Sequence, residues 1–385
     1  MVAKRMSNVP ESGTVRMANI VSKLKAAGKD IVSFTMGEPD FPTPQNVTDA
    51  CVKSLQVDHF THYTPSSGIP ELRKAVADKI CSANHVHCQP SQVLITPTKH
   101  AIFMSMLALV DDGDEVIVPD PLWGTFDACA RLAGGIVKHV ALNEEDGYRL
   151  DPQLISESIT KKTRMLVINS PCNPTGAVAK RRDLEEIANL ARENDLYVLS
   201  DEIYERLIYE GEQVSFASLP DMFERTVTLG GFSKTYAMTG WRVGWAIAPP
   251  VIFRELDKLQ MQSITCVTSF VQKAAVEALN GPQGDVEKMI REFKERRDLI
   301  CDLMEDIHQL HSTRPNGAFY LFPSYKKKMP SEELAAHLLE KGHVAVTAGS
   351  AFGPSGEGHL RISFAASRDD IEEGMARLKR ALASL

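Results

Sequence analysis

The feature that most constrains this chain is a series of short apolar, β-branched segments that alternate with helical patterns through its middle. Apolar runs stand at Val93–Thr96, Glu115–Pro119, Ile136–Val140, Arg164–Asn169, Leu196–Ser200, Thr226–Leu229 and Arg242–Ala248. Between several of them the apolar residues recur at helical spacing. Over 181–193, Leu184, Ile187 and Ala191 share a face; after Lys99, Ile102, Met106, Leu109 and Val110 align, and the pattern stops at Gly113. Strands that alternate with helices need crossover connections, which make consecutive strands parallel and cover both sheet faces. The expected fold is α/β: a large domain with a mostly parallel sheet sandwiched by helices, plus a smaller α+β domain. In such sheets ligands bind outside the carboxyl ends of the strands, so the residues that follow a strand carry the functional argument.

The flanks read differently. Pro70 opens a helix whose Leu72, Val76 and Ile80 share a face, and Ser367 caps one that carries Ile371, Met375, Leu378 and Leu382. A length of 385 residues fits about two domains. We expect the large domain at 45–285, with 1–44 and 286–385 forming the smaller one.

Composition narrows the function. The formal net charge is −7, which gives no reason to hold a polyanion. Seven scattered cysteines are odd in number and do not resemble a disulfide framework, which favours a reducing, cytoplasmic setting. No stretch is long and apolar enough to span a membrane. The segment CSANHVHC (81–88) fits no common zinc spacing and reads as a polar helix-to-strand loop, so no metal is expected.

Three segments carry chemistry. GGFSKTYAMTGWRVG (230–244) joins two apolar runs and places the amine of Lys234 between the hydroxyl of Ser233 and the guanidinium of Arg242. That set suits a phosphorylated aldehyde: the amine condenses with the carbonyl while hydroxyl and guanidinium hold the phosphate. Alone, an SK dipeptide is a surface turn. SDEIY (200–204) follows an apolar run, which puts Asp201 at a strand end, where a carboxylate keeps a heterocyclic nitrogen protonated; a lone Asp there is more often a cap. NSPCNPTG (169–176) follows another run and turns tightly, presenting the Asn173 amide.

Together with SGTVRM, GEPDFPTP (37–44), YTPSSGIPELR (63–73), PNGAFY (315–320) and LRISFA (360–365), these segments resemble, in order and spacing, the class I/II aminotransferases of the pyridoxal-phosphate fold type I superfamily, in their aspartate aminotransferase-like branch. The resemblance covers nearly the whole chain. It implies pyridoxal 5′-phosphate as cofactor, with Lys234 holding it and acting as general base. Asp201 is then the ring-nitrogen partner, Asn173 and Tyr204 the pair at the ring oxygen, and Trp123 the aromatic that stacks on the ring. Thr98 and Lys99 open the helix whose backbone N–H groups cradle the phosphate, with Ser233 and Arg242 as further ligands. Tyr63 resembles the tyrosine that reaches the phosphate from a neighbouring subunit, which implies a homodimer with shared sites. Arg361 resembles the grip on the substrate α-carboxylate, joined by the backbone of Gly37.

This chain departs from many relatives in three places. Pro97-Thr98 stands where glycine is frequent, Gly231 where some carry a hydroxyl, and Cys172 within the NPTG turn. The expected reaction moves an amino group from an L-amino acid to a 2-oxo acid by ping-pong kinetics. Aspartate and 2-oxoglutarate lead; aromatic, alanine or broad specificity and a carbon–sulfur β-lyase are the alternatives. A dicarboxylate needs a distal cation. Some relatives place a lysine at the spot aligned with Pro10 or Glu11; Lys4 and Arg16 lie near it in sequence without a placed role, and Lys99 is a further cation whose position suits the phosphate.

Overall fold

The computed structural model describes residues 2–9 and 11–385. Its centre is a sheet of seven strands: β1 (Val93–Ile95), β2 (Glu115–Asp120), β3 (Ile136–Ala141), β4 (Thr163–Asn169), β5 (Tyr197–Asp201), β6 (Thr226–Gly231) and β7 (Gly244–Ile247). Their order across the sheet is β1-β7-β6-β5-β4-β2-β3. The pairs from β3 to β6 are parallel. Only β7 runs against its neighbours β1 and β6, because the 232–243 loop returns without a crossover helix.

Strand alternation explains why both faces are apolar. Val116, Val118, Met165 and Val167 point into one layer with Ile102 and Met106 of the helix Thr98–Leu109. Ile117, Leu166 and Ile168, their sequence neighbours, point into the other with Leu184 and Ile187 of the helix Arg181–Glu193. That second helix is anchored at its first turn, where buried Asp183 accepts two hydrogen bonds from Arg149 at 2.8 and 2.6 Å.

The helix Pro70–Asn84 begins at Pro70, whose fixed φ suits a first helical residue, and buries Leu72, Val76 and Ile80. The helix Arg368–Ala383 starts as expected: the Ser367 hydroxyl accepts from Asp370 N–H at 3.1 Å. It buries Ile371, Met375, Leu378 and Leu382 in a core shared with Val32, Phe34 and the 289–364 segment. Two short pairings position the site. Val32–Ser33 lies parallel to Val344–Ala345, which carries the chain onward to Thr35–Glu38. Leu360–Ser363 lies between Tyr320–Leu321 and Thr347–Ala348, all antiparallel, with Arg361 in the middle strand.

Candidate active site

The carboxyl ends of β4, β5 and β6 open onto a cavity of about 360 Å³. Register brings Asn169 and Asp201 side by side as the last residues of β4 and β5. Lys234 lies just beyond β6, and Thr98 opens a helix just beyond β1. Gly37, Thr98, Lys99, Trp123, Asn173, Asp201, Tyr204, Ser233, Lys234, Arg242 and Arg361 all line this one cavity. Tyr63 does not; it is 88% exposed on the surface of the single chain.

Asp201 is buried at the floor, and its Oδ1 accepts from Ile203 N–H at 3.1 Å. Burial pushes its carboxyl up to about 7, against the pull of that N–H and of Lys234. The Lys234 ammonium donates to Gly37 O and stands 6.0 Å from the Tyr204 ring centroid. Burial pushes it down to about 8, helped by Arg361 and Arg242, while Glu38 and Asp201 act the other way. A lysine poised there is a proton acceptor near neutral pH.

Arg361 is 2% exposed. Its Nη1 donates to Asn173 Oδ1 at 3.1 Å and its Nη2 to Thr35 O at 2.7 Å, both uncharged partners. Its Nε has no partner among the described residues. The guanidinium lies between the Tyr320 and Phe352 rings, 4.6 and 5.0 Å from their centroids. A buried cation without a counter-charge is costly, so the geometry prepares for an anion. Asn173 is in turn fixed by its own N–H, which donates to Asn169 Oδ1 at 2.9 Å, while Asn169 Nδ2 holds Asp201 O at 3.0 Å.

At the other end, the first turn of the helix Thr98–Leu109 faces Ser233 and Arg242 across the cavity. Lys99 Nζ lies 4.9 Å over the Trp123 ring. Arg242, at φ 55°, donates to Thr239 O at 2.6 Å. The glycine at 231 is explained locally: a Cβ there would stand 2.6 Å from Thr98 Oγ1. The Thr98 hydroxyl fills that space and donates to Gly230 O at 2.8 Å. Its proton is thus committed, and the donors left at this position are backbone N–H groups.

Cys172 is buried with Sγ 4.0 Å from Pro121 O, and burial pushes its thiol up to about 11, which leaves it unreactive packing in the turn. In the CSANHVHC segment, Cys81 Sγ and His87 Nδ1 approach to 3.5 Å. Among the described residues no group of three metal-ligating side chains converges. No described helix is long and apolar enough to cross a membrane.

Several cavity residues escaped the sequence reading. Tyr320 OH lies 2.7 Å from Tyr204 OH, and Glu38 Oε2 accepts from Thr239 Oγ1 at 2.6 Å. Thr14, Val15 and Ala18 of the helix Gly13–Ala26 line the cavity with Met36. Tyr320 and Glu38 stood in recognised segments, PNGAFY and GEPDFPTP, but nothing in either segment says which side chain turns inward. Pro10, a candidate spot for a distal cation, lies outside the described residues, as does the side chain of Lys4.

Known proteins share both sequence and shape with this chain. An aspartate aminotransferase of Pyrococcus abyssi is 43% identical over 93% of each chain. An aromatic-amino-acid aminotransferase of Thermococcus litoralis is 42% identical over 91% of this chain and 92% of its own. The solved structure of aspartate aminotransferase from Thermus thermophilus with maleate superposes with a TM-score of 0.95, at 37% identity over 99% of both chains. The family model for aminotransferase class I and II matches residues 29–378, which contain every cavity residue named above except those of the N-terminal helix. The lysine beyond β6, the carboxylate ending β5 and the buried arginine thus lie within a chain that belongs to the class I and II aminotransferases.

Proposed function

We propose that this aminotransferase works with pyridoxal 5′-phosphate and carries amino groups from aspartate to 2-oxoglutarate. The observation that carries the reading is the pairing of Lys234 and buried Asp201 with the uncompensated guanidinium of Arg361 in one cavity. The donor set fits the cofactor. A helix first turn, Ser233 and Arg242 offer donors for a phosphate at one end, and Asp201 offers a buried carboxylate to a ring nitrogen at the other. Tyr204 and Asn173 line the same cavity and would serve the ring oxygen, with Trp123 available to stack. Bound there, pyridoxal phosphate supplies an aldehyde for exchange between amines and a ring that withdraws electrons from the substrate α-carbon.

The residues do the rest. Lys234, once released from the cofactor, would accept the substrate α-proton and carry it within the cavity. Asp201 keeps the ring nitrogen protonated, and a cationic partner in turn draws its pKa down. Arg361, Asn173 and the Gly37 backbone hold the α-carboxylate and so orient the bond that breaks, an effect worth several kcal/mol.

Aspartate as donor draws support from the name of the Pyrococcus abyssi relative and from Lys99, a cavity cation with no carboxylate partner among the described residues. The apolar lining by Val15, Ala18 and Met36, with the Thermococcus litoralis relative, supports a second reading in which aromatic donors are also accepted. A homodimer is the third part of the proposal: exposed Tyr63 would complete the partner's phosphate site, and two-fold assembly is the commonest. A division into a large domain at 45–285 and a smaller one from 1–44 and 286–385 accompanies it, supported by a core around Phe34 and Phe364 drawn mostly from 286–385, which Ile203, Tyr204 and Leu207 join. Seven unpaired cysteines support a cytoplasmic setting.

The test is a visible spectrum of the purified protein. A cofactor band that bleaches with aspartate and returns with 2-oxoglutarate supports the whole reading. A band that bleaches only with tyrosine or alanine moves the substrate. Turnover that needs no 2-oxo acid points to a lyase, and no band after addition of pyridoxal phosphate overturns the role of Lys234.

A further inference from the structure

The loop between Ala348 and Leu360 ties the cavity wall that carries Trp123 to the strand that carries Arg361. It is built of two tight turns, Gly349–Phe352 and Pro354–Gly356. On one side it grips the turn after β2: Leu122 N–H donates to Phe352 O at 2.8 Å, and Ser355 N–H donates to Asp120 Oδ2 at 2.9 Å. On the other side the Phe352 ring lies 5.0 Å from the Arg361 guanidinium. Gly353 has φ +116°, and a Cβ there would stand 2.1 Å from Asp120 Oδ1, so the backbone lies directly on the carboxylate.

Asp120 itself ends β2, is 1% exposed, and leaves Oδ1 without a partner among the described residues. Its other neighbour is His139, whose Nδ1 lies 3.9 Å from Oδ2; His139 Nε2 lies 3.0 Å from Asp127, which also pairs with Arg131. Asp120 does not line the cavity. A carboxylate this deep, with so few donors, needs a reason beyond stability.

We propose that Asp120 is a positioning residue: its buried carboxylate clamps the 353–355 backbone and so fixes the Trp123 wall against the Arg361 guanidinium. The inference rests on the reading of Arg361 as the carboxylate grip. Loss of the clamp frees Phe352 to move away from the guanidinium plane. Carboxylate binding then weakens, while the proton transfer at Lys234 is untouched.

The experiment uses the holoenzyme and six variants beside wild type, one of them a double. Asp120→Ala raises KM for aspartate about tenfold, or about 1.4 kcal/mol. The Kd of a non-reacting dicarboxylic acid, measured by calorimetry, rises by the same factor, and kcat changes by less than about threefold. Asp120→Asn keeps an acceptor for Ser355 N–H and recovers most of the loss. Gly353→Ala, which pushes the loop off the carboxylate and strains its backbone at φ +116°, gives at least the same KM shift in the wild-type background and a smaller one on top of Asp120→Ala, where the clash is relieved and only the strain remains. Leu382→Ala, in the core far from the clamp, lowers the melting temperature without moving KM. Leu382→Ala raising KM as much as Asp120→Ala overturns the proposal, because the effect is then general loosening. Unchanged KM in Asp120→Ala beside a raised KM in Arg361→Lys overturns the clamp alone. Unchanged KM in both overturns the reading of Arg361 with it.

Discussion

Replacing Arg361 by lysine tests the site where its physics is most specific. The guanidinium spends two of its N–H groups on Asn173 Oδ1 and Thr35 O and has others, including Nε, to give to a ligand. Lysine keeps the positive charge but presents a compact ammonium that cannot form the planar two-bond clamp. Hydrogen bonds to a charged group contribute about 1.5–3 kcal/mol each. Loss of one bond, and of the alignment it enforces, costs about 2–4 kcal/mol, which is roughly 30- to 1000-fold in kcat/KM. The assay is the aspartate half-reaction, followed as loss of the cofactor's visible band. β-Alanine, which is aspartate without its α-carboxylate, serves as the control amine. Wild type handles β-alanine slowly because Arg361 has nothing to hold, and Arg361→Lys leaves that rate unchanged. A variant that loses as much with β-alanine as with aspartate refutes the argument, for Arg361 would then support the fold and not the carboxylate.

Three further expectations follow from the same geometry. The folded apoprotein holds a proton on Asp201 up to about 7, whereas the unfolded chain releases it near 3.8, the ordinary value for the side chain. The native state therefore binds more protons between these values, so its stability falls as pH rises from about 4 to 7. Asp201→Asn removes that slope, measured as melting temperature against pH without cofactor, and an unchanged slope contradicts the assignment. Gly231→Ala drives a Cβ toward Thr98 Oγ1 and costs about 1–3 kcal/mol in denaturant unfolding. Thr98→Ala in the same chain relieves most of that cost, and additive losses would show that the two positions do not share the space. If Tyr63 serves a partner subunit, Tyr63→Phe releases pyridoxal phosphate more readily, by about tenfold in Kd, with no change in sedimentation. A wild-type monomer with full activity would end that idea.

Much of the fold was legible because strand and helix periods differ and are local. The helix Arg181–Glu193 and the seven strands emerged within a residue or two of their expected limits, since each buries a face the pattern already marked. Lys234, Asp201 and Asn173 were legible for a related reason: each ends or follows a strand of a largely parallel sheet, and topology sends such residues to one edge. Tyr320 was not, because its inward direction depends on how the 310–364 segments fold back over the sheet; nor was Glu38, which meets Thr239 from a distant part of the chain. The exchange between Gly231 and Thr98 was equally hidden. Sequence showed a missing hydroxyl at one position and an unusual threonine at another; only packing shows that they compete for one space.

Arg361 combines the two cases, and it shows why a site can be recognised before it can be derived. Its strand, Leu360–Ser363, reads as an ordinary buried run, and an arginine within it looks like a residue in need of a partner. A fold shaped by stability alone would supply a carboxylate, since an unpaired buried guanidinium carries an uncompensated desolvation cost. Here the nearest groups are an amide oxygen, a backbone carbonyl and two aromatic rings. Lys99 and Arg242, both exposed, line the same cavity with no carboxylate partner among the described residues. The local rule of neutralised burial is broken at Arg361 and kept elsewhere, where Arg149 meets Asp183 and Arg296 meets Asp40. One buried guanidinium left without a counter-charge, beside two more cations on the same cavity, is what a site built for anions requires: a bound anion would supply the counter-charge, and the stability forgone without it would return as binding free energy.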